Sequence, residues 1–527
     1  MKHSAKTLVI LIALSFYQIS HADITTKHSH NDILQATHQG CIHGNYAQIP
    51  LDSKQLNTLV AGKISFSNND KLHGMTLDFH QDKVKRVIFN NKVNEQSFLL
   101  WHAHTNDRLI LDAPTGSQAC YTLSLTYNHT VQDDTDYHND KPQSPLLQQV
   151  QQDPTAQNLA NFWQNVAKNG TPLIEQVGDK TLMTFLWRES EPTVNVRLLG
   201  SPSNDHEWLY KLPKSDIWYK SFWVKDSLLL SYEFAPNVPM LAPNPAMSAD
   251  DIRYKKRQAM LAKLTHDPLN PHRFGNGSWV GVNAAFSQTK AHQGKLVERI
   301  FKSELLNNQR RIWLYQTNNV KKDSQPIVLY LFDGDVYLNV VGVPSLLDDF
   351  ATRTGIGVIA VLIDNVNRHA ELPMNDEFAK MMNDELVPFV VQQMGVSTSA
   401  DRTVISGSSY GGLAAAFVAY RHPDIFGNVL PLSGSFWYKN GQDQHLYDLI
   451  QQNPAKHTQK WHIMAGSYET HRQGETVNDS ILGSSQTLVA SLNKQGNQAT
   501  FRLYEGGHDY AVWRVALIDG LEKLFAR

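Results

Sequence analysis

The stretch Thr403-Val-Ile-Ser-Gly-Ser-Ser-Tyr-Gly-Gly-Leu-Ala-Ala-Ala-Phe-Val-Ala-Tyr420 decides the fold of this chain. β-Branched residues over 403–406 predict a strand, and the alanine-rich run over 413–420 predicts a helix. Between them, Gly407-Ser-Ser-Tyr-Gly411 fits the pattern G-x-S-x-G, whose central serine sits on a sharp strand-to-helix turn. The pattern therefore predicts that Ser409 presents an exposed, reactive hydroxyl. The competing interpretation is a purely structural Gly-Ser turn.

The region 275–527 around this stretch alternates short, continuous apolar runs with longer helical segments. Strands that are apolar at every residue are typical of a parallel sheet covered on both faces. Such alternation predicts a mostly parallel sheet flanked by helices. The apolar runs cover residues 326–332, 357–363, 403–406, 461–465 and 499–504, and the helical segments include 376–394 and 480–494.

Two earlier regions have a different pattern of apolar and polar residues, which predicts two β-sandwich-like domains before the parallel sheet. Residues 23–150 alternate apolar and polar positions in short runs separated by turn residues, as antiparallel strands with one buried face do. Residues 155–273 open with a predicted helix over 156–169, which Gly170 ends, and continue as strand-like runs. We therefore expect three domains, 23–150, 155–273 and 275–527.

The composition and the N-terminal residues limit the function and the cellular location that we expect for this protein. The 527 residues carry a formal net charge of −2, so no basic excess indicates nucleic-acid binding. Lys2 and Lys6 precede the apolar run 8–16, and Ser20-His-Ala22 places small residues where a signal peptidase cuts. We expect cleavage of 1–22 after Ala22 and a periplasmic or secreted product; a membrane anchor or an ordinary first helix are the alternatives. No other apolar run is long enough to span a membrane, and no pattern indicates an oligomeric state.

The two cysteines, Cys41 and Cys120, both lie in the first predicted domain. After export to an oxidising compartment they are expected to form one disulfide, with two free buried thiols as the alternative. Several early histidines lack the tight spacing of metal ligands, so a solvated segment is favoured and no metal site is expected. These histidines are His28, His30, His38 and His43.

A serine hydroxyl needs a base to become a nucleophile at neutral pH. Gly506-Gly-His508 follows the last predicted strand, where an α/β-hydrolase places its histidine on a flexible loop. The order in this fold is serine, acid, histidine, so the acid should lie between Ser409 and His508. Glu469, directly after the strand 461–465, is the best candidate. The other nearby carboxylates are two rivals for the acid and one residue interpreted as structural: Glu475, Asp479 and Asp509.

An oxyanion hole requires two hydrogen-bond donors aimed at the developing negative charge. One is expected to be the backbone N–H of Tyr410, which follows the nucleophile. The other should come from the loop after an early strand, and Phe332-Asp-Gly-Asp335 ends such a strand. We therefore predict the N–H of Gly334 or Asp335 as the second donor; an ordinary Asp-Gly turn is the alternative.

From about residue 160 to the C-terminus the chain resembles enterochelin esterases, which cleave the trilactone of catecholate siderophores. The segments that carry the resemblance lie in both the second and the third predicted domains. They are Phe162-Trp163, Gly170-Thr-Pro-Leu-Ile-Glu175, Thr184-Phe-Leu-Trp-Arg188, Asp216-Ile-Trp-Tyr219, Asp267-Pro-Leu-Asn-Pro271, Ile363-Asp364, Arg368, Glu371-Leu372, Asn375, Phe378, Leu432-Ser-Gly-Ser-Phe-Trp437, Gly506-Gly-His-Asp509 and Trp513-Arg514.

The resemblance implies an α/β-hydrolase domain with Ser409 and His508 as catalytic residues and a glutamate near Glu469. It implies a catecholate siderophore as substrate, with iron belonging to the substrate and no cofactor held by the enzyme. A ferric tris-catecholate is anionic and carries flat rings, which arginine and aromatic side chains suit. The candidate substrate-binding residues, for which packing or a structural ion pair is the alternative, are Arg368, Trp437, Arg472, Trp513 and Arg514.

The resemblance leaves residues 23–150 without a function beyond docking or stabilisation. Two other functions compete with siderophore hydrolysis. One is a carboxylesterase for aromatic or acyl esters, since a fold does not fix the substrate. The other is a siderophore-binding protein with a vestigial active site, against which the presence of Ser409, Glu469 and His508 argues.

Overall fold

The computed structural model describes most of the chain but leaves out the predicted export signal, residues 1–22, and His30. The described residues are 23–28, 34–43, 46–67, 76–81, 84–90, 95–112, 118–128, 130–131, 133, 135–138, 140–203, 206–241, 249–283, 290–320, 325–396, 399–453 and 458–526.

Strands dominate the first part of the chain. They are β1 (Asp23–His28), β2 (Leu34–His43), β3 (Tyr46–Pro50), β4 (Thr58–Phe66), β5 (Thr76–Gln81), β6 (Val84–Asn90), β7 (Glu95–His102), β8 (Arg108–Asp112), β9 (Gln118–Asn128) and β10 (Thr130–Val131).

Helices and strands mix in the second part. They are α1 (Pro145–Gln152), α2 (Ala156–Asn169), β11 (Leu173–Val177), β12 (Lys180–Arg188), β13 (Val196–Leu199), β14 (Glu207–Trp208), β15 (Tyr210–Lys211), β16 (Ile217–Val224), β17 (Leu229–Pro236), β18 (Met240–Leu241), α3 (Ala249–Leu261), β19 (Arg273–Phe274) and β20 (Gly277–Gly281).

Strands and helices alternate in the last part. They are β21 (Lys295–Ser303), β22 (Asn308–Gln316), β23 (Ile327–Phe332), α4 (Gly334–Val336), α5 (Val343–Thr354), β24 (Val358–Ile363), α6 (Arg368–Glu371), α7 (Asp376–Met381), α8 (Val387–Met394), β25 (Thr403–Ser408), α9 (Tyr410–Arg421), β26 (Asn428–Leu432), α10 (Leu446–Gln452), β27 (Lys460–Gly466), α11 (Ile481–Lys494), β28 (Gln498–Tyr504) and α12 (Tyr510–Phe525).

The chain divides into two compact units. The first contains the described residues of 1–136 together with 193–195 and 235–264, and the second contains 137–192, 196–234 and 265–527. These bounds differ from the predicted domains, because the second unit contains most of both the second and the third of them and residues 193–195 belong to the first unit. Residues 235–264 join the first unit, where β18 pairs with β10. Helix α1 joins the second unit, because Leu147 and Val150 pack with Phe162 of α2.

The first unit is a β-sandwich. One sheet has the order β1-β2-β9-β4-β7 and the other the order β3-β8-β5-β6. Buried residues from both sheets form one core, including Ile42, Leu100 and Leu123 from the first sheet and Ile49 and Leu111 from the second. Strands such as β3 and β8 alternate buried positions with more exposed ones. This alternation explains why the sequence pattern of residues 23–150 predicts antiparallel strands.

The predicted disulfide is confirmed within this sandwich. Cys41 of β2 lies directly opposite Cys120 of β9 in the antiparallel register, and the two sulfurs are bonded. Opposed residues of neighbouring strands bring their Cβ atoms close enough for a disulfide. The bond therefore joins neighbouring strands of one sheet.

The second unit begins with a second sandwich, whose sheets have the orders β11-β12-β16-β15 and β14-β13-β17-β20-β19. Its core lies between these sheets and includes Phe185, Trp218, Leu198 and Tyr232. Helices α1 and α2 cover the outer face of the four-stranded sheet. The helix predicted over 156–169 is present as α2, which Gly170 ends with a left-handed backbone, φ +79°.

The rest of the second unit is an α/β-hydrolase domain. Its strands form one sheet in the order β21-β22-β24-β23-β25-β26-β27-β28. The first two are antiparallel and the remaining strands run parallel. Alternate residues of β23 point to opposite faces, so Tyr330 joins the core under α7–α11 and Leu329 the core under α5 and α12. Burial on both faces explains the continuous apolar runs.

Loops at the carboxyl ends of these parallel strands are where an open α/β sheet binds ligands. Residue 409 follows β25, the segment 433–435 follows β26, and residue 469 comes shortly after β27. The segment 505–509 follows β28, and residue 333 follows β23. In the described part of the chain, no helix combines the length and apolar character needed to cross a membrane.

Candidate active site

Ser409 sits at the tip of the turn between β25 and α9, with φ 57° and ψ −121°. A non-glycine residue adopts such a backbone only when its surroundings hold it there, as in a nucleophile elbow. A Cβ at Gly407 would lie 2.6 Å from the carbonyl oxygen of Gly411, so only glycine lets the two segments pass. The Ser409 N–H also donates to the carbonyl oxygen of Leu432 at 3.0 Å. The strand, turn and helix thus have the form that the opening motif predicts.

The hydroxyl of Ser409 lies beside a second serine. Its Oγ is 3.4 Å from Ser435 Oγ, and the Ser435 N–H donates to the carbonyl oxygen of Ser409 at 3.1 Å. Between the described side chains of Ser409 and His508 no hydrogen bond forms. Catalytic hydrogen bonds of this kind often tighten only when substrate binds.

His508 and Glu469 meet directly. His508 Nδ1 lies 2.6 Å from Glu469 Oε1; the carboxylate is buried, whereas the imidazole is 40% exposed. A buried acid bonded to Nδ1 leaves Nε2 as the nitrogen able to take a proton from a hydroxyl. This is the geometry expected of a histidine base and its orienting acid.

The rival carboxylates lie elsewhere. Glu475 is exposed, and Asp479 accepts hydrogen bonds from the Thr476 N–H at 2.6 Å and the Thr476 hydroxyl at 2.8 Å. These two bonds lower the pKa of Asp479. Asp509 is turned away from the histidine that precedes it and accepts from the Ala511 N–H at 2.8 Å, capping α12.

The predicted oxyanion donors lie at two helix starts. Tyr410 is the first residue of α9, and Gly334 and Asp335 open the short helix α4, where backbone N–H groups lack partners within the helix. The two loops are adjacent, since a Cβ added to Gly411 would lie 3.1 Å from Asp333 Oδ2. A Cβ at Gly334 would lie 2.6 Å from the N of Ile363, so this loop approaches the neighbouring strand closely.

Arg368 forms an ion pair with Asp333, a partner that the sequence did not indicate. Its Nε and one Nη donate to Asp333 at 2.7 and 2.9 Å, and the same Nη donates to the carbonyl oxygen of Ser408 at 3.3 Å. Arg368 therefore links the loop after β23 to the nucleophile turn. Its guanidinium also lies 5.8 Å from the ring centre of Tyr410. The structural ion pair, left open as the alternative, is present.

Aromatic side chains surround the residue after the nucleophile. The ring centre of Tyr410 lies 6.3 Å from that of Trp437, 6.0 Å from that of Tyr438 and 5.7 Å from that of His369. All four side chains are exposed or half-buried. This aromatic cluster (Tyr410, Trp437, Tyr438 and His369) offers ring faces and edges next to Ser409. Of these four residues, only Trp437 was predicted from the sequence to bind substrate, although Tyr438 follows it directly.

The remaining substrate-binding predictions have mixed outcomes. Arg472 is exposed and donates to the carbonyl oxygen of Glu475 at 3.3 Å. Trp513 and Arg514 are only 3% and 2% exposed, which argues against direct contact with a substrate. Both lie on α12, which packs against the sheet. Arg514 donates to the carbonyl oxygen of Val341, and burial lowers its pKa to about 10.

Comparison with known proteins identifies relatives over most of the chain from residue 182 onward. The family model "Esterase" matches residues 303–524, and the family model "Enterochelin esterase, N-terminal" matches residues 182–294. The iron(III) enterobactin esterase of Dickeya dadantii is 29% identical over 412 residues, covering 69% of this chain and 92% of that protein. The iron(III) salmochelin esterase of Escherichia coli O6:H1 is 28% identical over 393 residues, covering 69% and 93%.

A solved structure agrees with these sequence relatives. The crystal structure of the enterobactin esterase from Shigella flexneri in the presence of enterobactin aligns with a TM-score of 0.57 and 26% identity. The alignment covers 69% of this chain and 97% of that chain. Neither family model reaches residues 23–150.

Proposed function

We propose that this ester hydrolase, which matches the esterase and enterochelin esterase N-terminal family models, hydrolyses the trilactone of a catecholate siderophore outside the cytoplasm. The observation that carries the proposal is the 2.6 Å bond between His508 and the buried Glu469, on loops at the same sheet edge as the Ser409 turn. Relatives named as enterobactin and salmochelin esterases support the substrate class.

In the proposed mechanism Ser409 attacks the carbonyl carbon of one ester bond of the trilactone. His508 Nε2 accepts the hydroxyl proton and then gives it to the departing alkoxide, while Glu469 holds the imidazole at Nδ1. An acyl-enzyme on Ser409 remains. His508 next removes a proton from the water that attacks the acyl-enzyme. It then gives this proton to Ser409 Oγ as the acyl C–O bond breaks, which frees the carboxylic acid and restores the serine hydroxyl. The backbone N–H of Tyr410 and that of Gly334 or Asp335 stabilise the oxyanion in both steps.

The aromatic cluster supports a substrate with flat rings. Catechol rings can pack against half-exposed aromatic side chains at centroid distances like those within the cluster. Arg368 adds positive charge beside Tyr410, although its charge is shared with Asp333. An anionic ferric catecholate gains from this cation, so we propose that the ferric form is the substrate. Its iron belongs to the siderophore, and the enzyme holds no cofactor.

The proposed location rests on two features. The N-terminal pattern at 1–22 is that of an export signal. The Cys41–Cys120 disulfide is of the kind that forms and persists in oxidising compartments such as the periplasm. We therefore propose a periplasmic or secreted enzyme. Cell fractionation and the N-terminal sequence of the isolated protein test this, with Asp23 as the expected first residue.

One experiment tests the function. Residues 23–527 and the variants Ser409→Ala and Ser408→Ala are incubated with the apo and ferric forms of a catecholate trilactone, and linear products are followed by chromatography. We expect cleavage by the wild type and by Ser408→Ala, and none by Ser409→Ala. Rapid turnover of simple aryl esters without trilactone cleavage would favour a general carboxylesterase. Binding of the trilactone without hydrolysis of any ester would favour a binding protein.

A further inference from the structure

The turn after β26 contacts both ends of the proposed triad. Ser435 lies beside the nucleophile, with its Oγ 3.4 Å from Ser409 Oγ. Two residues earlier, Ser433 Oγ lies 2.7 Å from Glu469 Oε2. The intervening Gly434 leaves no room for a side chain, since a Cβ there would lie 2.3 Å from the ring of Phe436. A single short segment thus spans the nucleophile and the acid.

The direction of each hydrogen bond at Ser433 is fixed by chemistry. Trp513 Nε1 lies 2.8 Å from Ser433 Oγ, and an indole N–H can only donate. Ionised Glu469 can only accept, so the single hydroxyl proton of Ser433 points to Oε2. Met464 Sδ, 3.4 Å away, is a weaker acceptor than a carboxylate. The chain of donors therefore runs from Trp513 through Ser433 to Glu469.

The two carboxylate oxygens of Glu469 have different hydrogen-bond partners. Oε2 accepts from the Ser433 hydroxyl and from the Gly466 N–H at 2.5 Å, whereas Oε1 lies 2.6 Å from His508 Nδ1. The Trp513 ring also meets the His508 ring edge to face, with centroids 4.7 Å apart and planes at 89°. Trp513 therefore contacts the base directly and reaches the acid through Ser433.

The backbone of Ser433 adds a second, independent observation. The residue is fully buried and has φ +46°, a conformation that costs a serine energy and a glycine almost none. The side chain thus occupies a position where glycine would fit with less strain. A buried hydroxyl with a defined donor and a defined acceptor offsets that strain.

We propose that Ser433 is a positioning residue for the triad: its hydroxyl, oriented by Trp513, holds Glu469 so that Oε1 faces His508. The inference rests on the proposed function for its catalytic meaning. Ser433 touches neither substrate nor the reacting atoms, and acts through Glu469. Trp513 was predicted from the sequence to contact substrate. It is instead buried in the core, where its indole N–H orients the Ser433 hydroxyl.

The test uses residues 23–527 with Ser433→Gly, which removes the hydroxyl and relaxes the backbone at φ +46°. Trp513→Phe removes the N–H donor and keeps an aromatic ring. We expect kcat for a 4-nitrophenyl ester to fall roughly tenfold in Ser433→Gly, since a hydrogen bond to a charged group is lost. KM should change by less than about twofold, because ground-state binding is untouched. The double variant Ser433→Gly/Trp513→Phe should have a kcat little lower than that of the less active single variant, because both substitutions interrupt the same series of hydrogen bonds.

A spectroscopic measurement follows the same bond without any substrate. The proton between His508 Nδ1 and Glu469 should give a downfield proton resonance, assigned by its loss in His508→Ala. In Ser433→Gly this resonance should shift or broaden, in a variant whose near-ultraviolet circular dichroism matches that of the folded wild type. Ser345→Ala is the matched control, since Ser345 is a buried serine of α5 whose hydroxyl bonds the Gly342 carbonyl oxygen. It should leave both kcat and the resonance unchanged.

An unchanged kcat together with an unchanged resonance in Ser433→Gly would overturn the positioning role and leave the proposed function standing. If the wild type cleaved no ester, the proposed function would fail, and the resonance would still decide the role of Ser433. If Ser433→Gly did not fold, Ser433→Ala and Trp513→Phe would carry the same two measurements.

Discussion

The Ser231 hydroxyl donates to Asp509 Oδ1 over 2.6 Å, which ties a strand of the second sandwich to the residue that follows His508. The Ser231 N–H donates to the other oxygen of the same carboxylate. Two residues earlier on β17, the Leu229 N–H donates to the carbonyl oxygen of Glu505 at 3.0 Å. The loop that carries His508 is thus held to β17 on both sides of the histidine. The sandwich therefore helps to position the loop of the proposed base, His508.

Ser231→Ala is expected to lower the free energy of unfolding by about 1.5–3 kcal/mol, because a hydrogen bond to the Asp509 carboxylate is lost. We also expect kcat to fall several-fold, since the His508 loop loses one attachment. Denaturant titration and steady-state kinetics measure the two effects. The exposed Ser227, on the turn before β17, provides the control variant Ser227→Ala, which should match the wild type. Full stability and kcat in Ser231→Ala would contradict the attachment.

Glu469→Gln is expected to lower kcat by roughly a thousandfold or more, because an amide can hold the wrong imidazole tautomer. Labelling of Ser409 by a fluorophosphonate should slow in parallel. The controls are Glu475→Gln and Asp479→Asn, each of which should keep kcat within about twofold of the wild type. A large loss in either control with little loss in Glu469→Gln would move the acid to that residue.

Trp437→Ala is expected to raise KM for the catecholate trilactone about three- to tenfold, the equivalent of one aromatic contact. The kcat for a small acetate ester should stay near the wild-type value, since the ester lacks aromatic rings to bind the cluster. Trp437→Phe should restore most of the affinity. Trp223→Ala removes a 46% exposed tryptophan of β16 and should leave KM unchanged. Equal effects of Trp437→Ala on both substrates would argue against a ring-binding role.

Asp267 predicts a pH dependence of stability. Burial raises its pKa, although the Thr171 and Tyr232 hydroxyls and the Leu269 N–H donate to its carboxylate. Because the folded state binds this proton more tightly, its contribution to stability is full below pH about 4 and is lost as the pH rises through the folded-state pKa.

The measurement compares the wild type with Asp267→Asn by urea denaturation at several values between pH 4 and 7. The difference in unfolding free energy, wild type minus variant, should fall as the pH rises. A difference that stayed constant or grew over this range would show that the folded-state pKa is not raised.

The double variant Cys41→Ser/Cys120→Ser is expected to destabilise the first unit by about 2–4 kcal/mol, because the bond closes a loop over a sequence separation of 79 residues. Below the melting temperature kcat should be unchanged, since the proposed triad lies in the second unit. Calorimetry and kinetics with and without reductant check this. A fall in kcat at full folding would link the first unit to catalysis.

Much of the second unit could be predicted from local sequence patterns. Continuous apolar runs such as 326–332 indicated buried parallel strands, because a strand covered on both faces has no polar side. The motif around Ser409 indicated the elbow, and chain order pointed to His508 and Glu469. The Cys41–Cys120 disulfide was expected from the number of cysteines and the oxidising compartment, but only the sheet shows that the two residues lie opposite each other.

Contacts between distant residues could not be predicted in this way. The bonds from Trp513 to Ser433 and from Arg368 to Asp333 join residues 80 and 35 positions apart. No repeating pattern of apolar and polar residues along the chain predicts that such distant residues are in contact. The burial of Trp513 and Arg514 could not be predicted either, because the elements that pack against a helix determine which of its faces is buried.

The sequence by itself determined that Ser409 stands at a strand-to-helix turn, since backbone sterics and side-chain periodicity act over a few residues. Only the tertiary structure decided which carboxylate faces His508, which residues orient that carboxylate, and that β17 holds the histidine loop. Those choices depend on packing, which brings separate loops to one edge of the sheet and closes hydrogen bonds that no single segment contains.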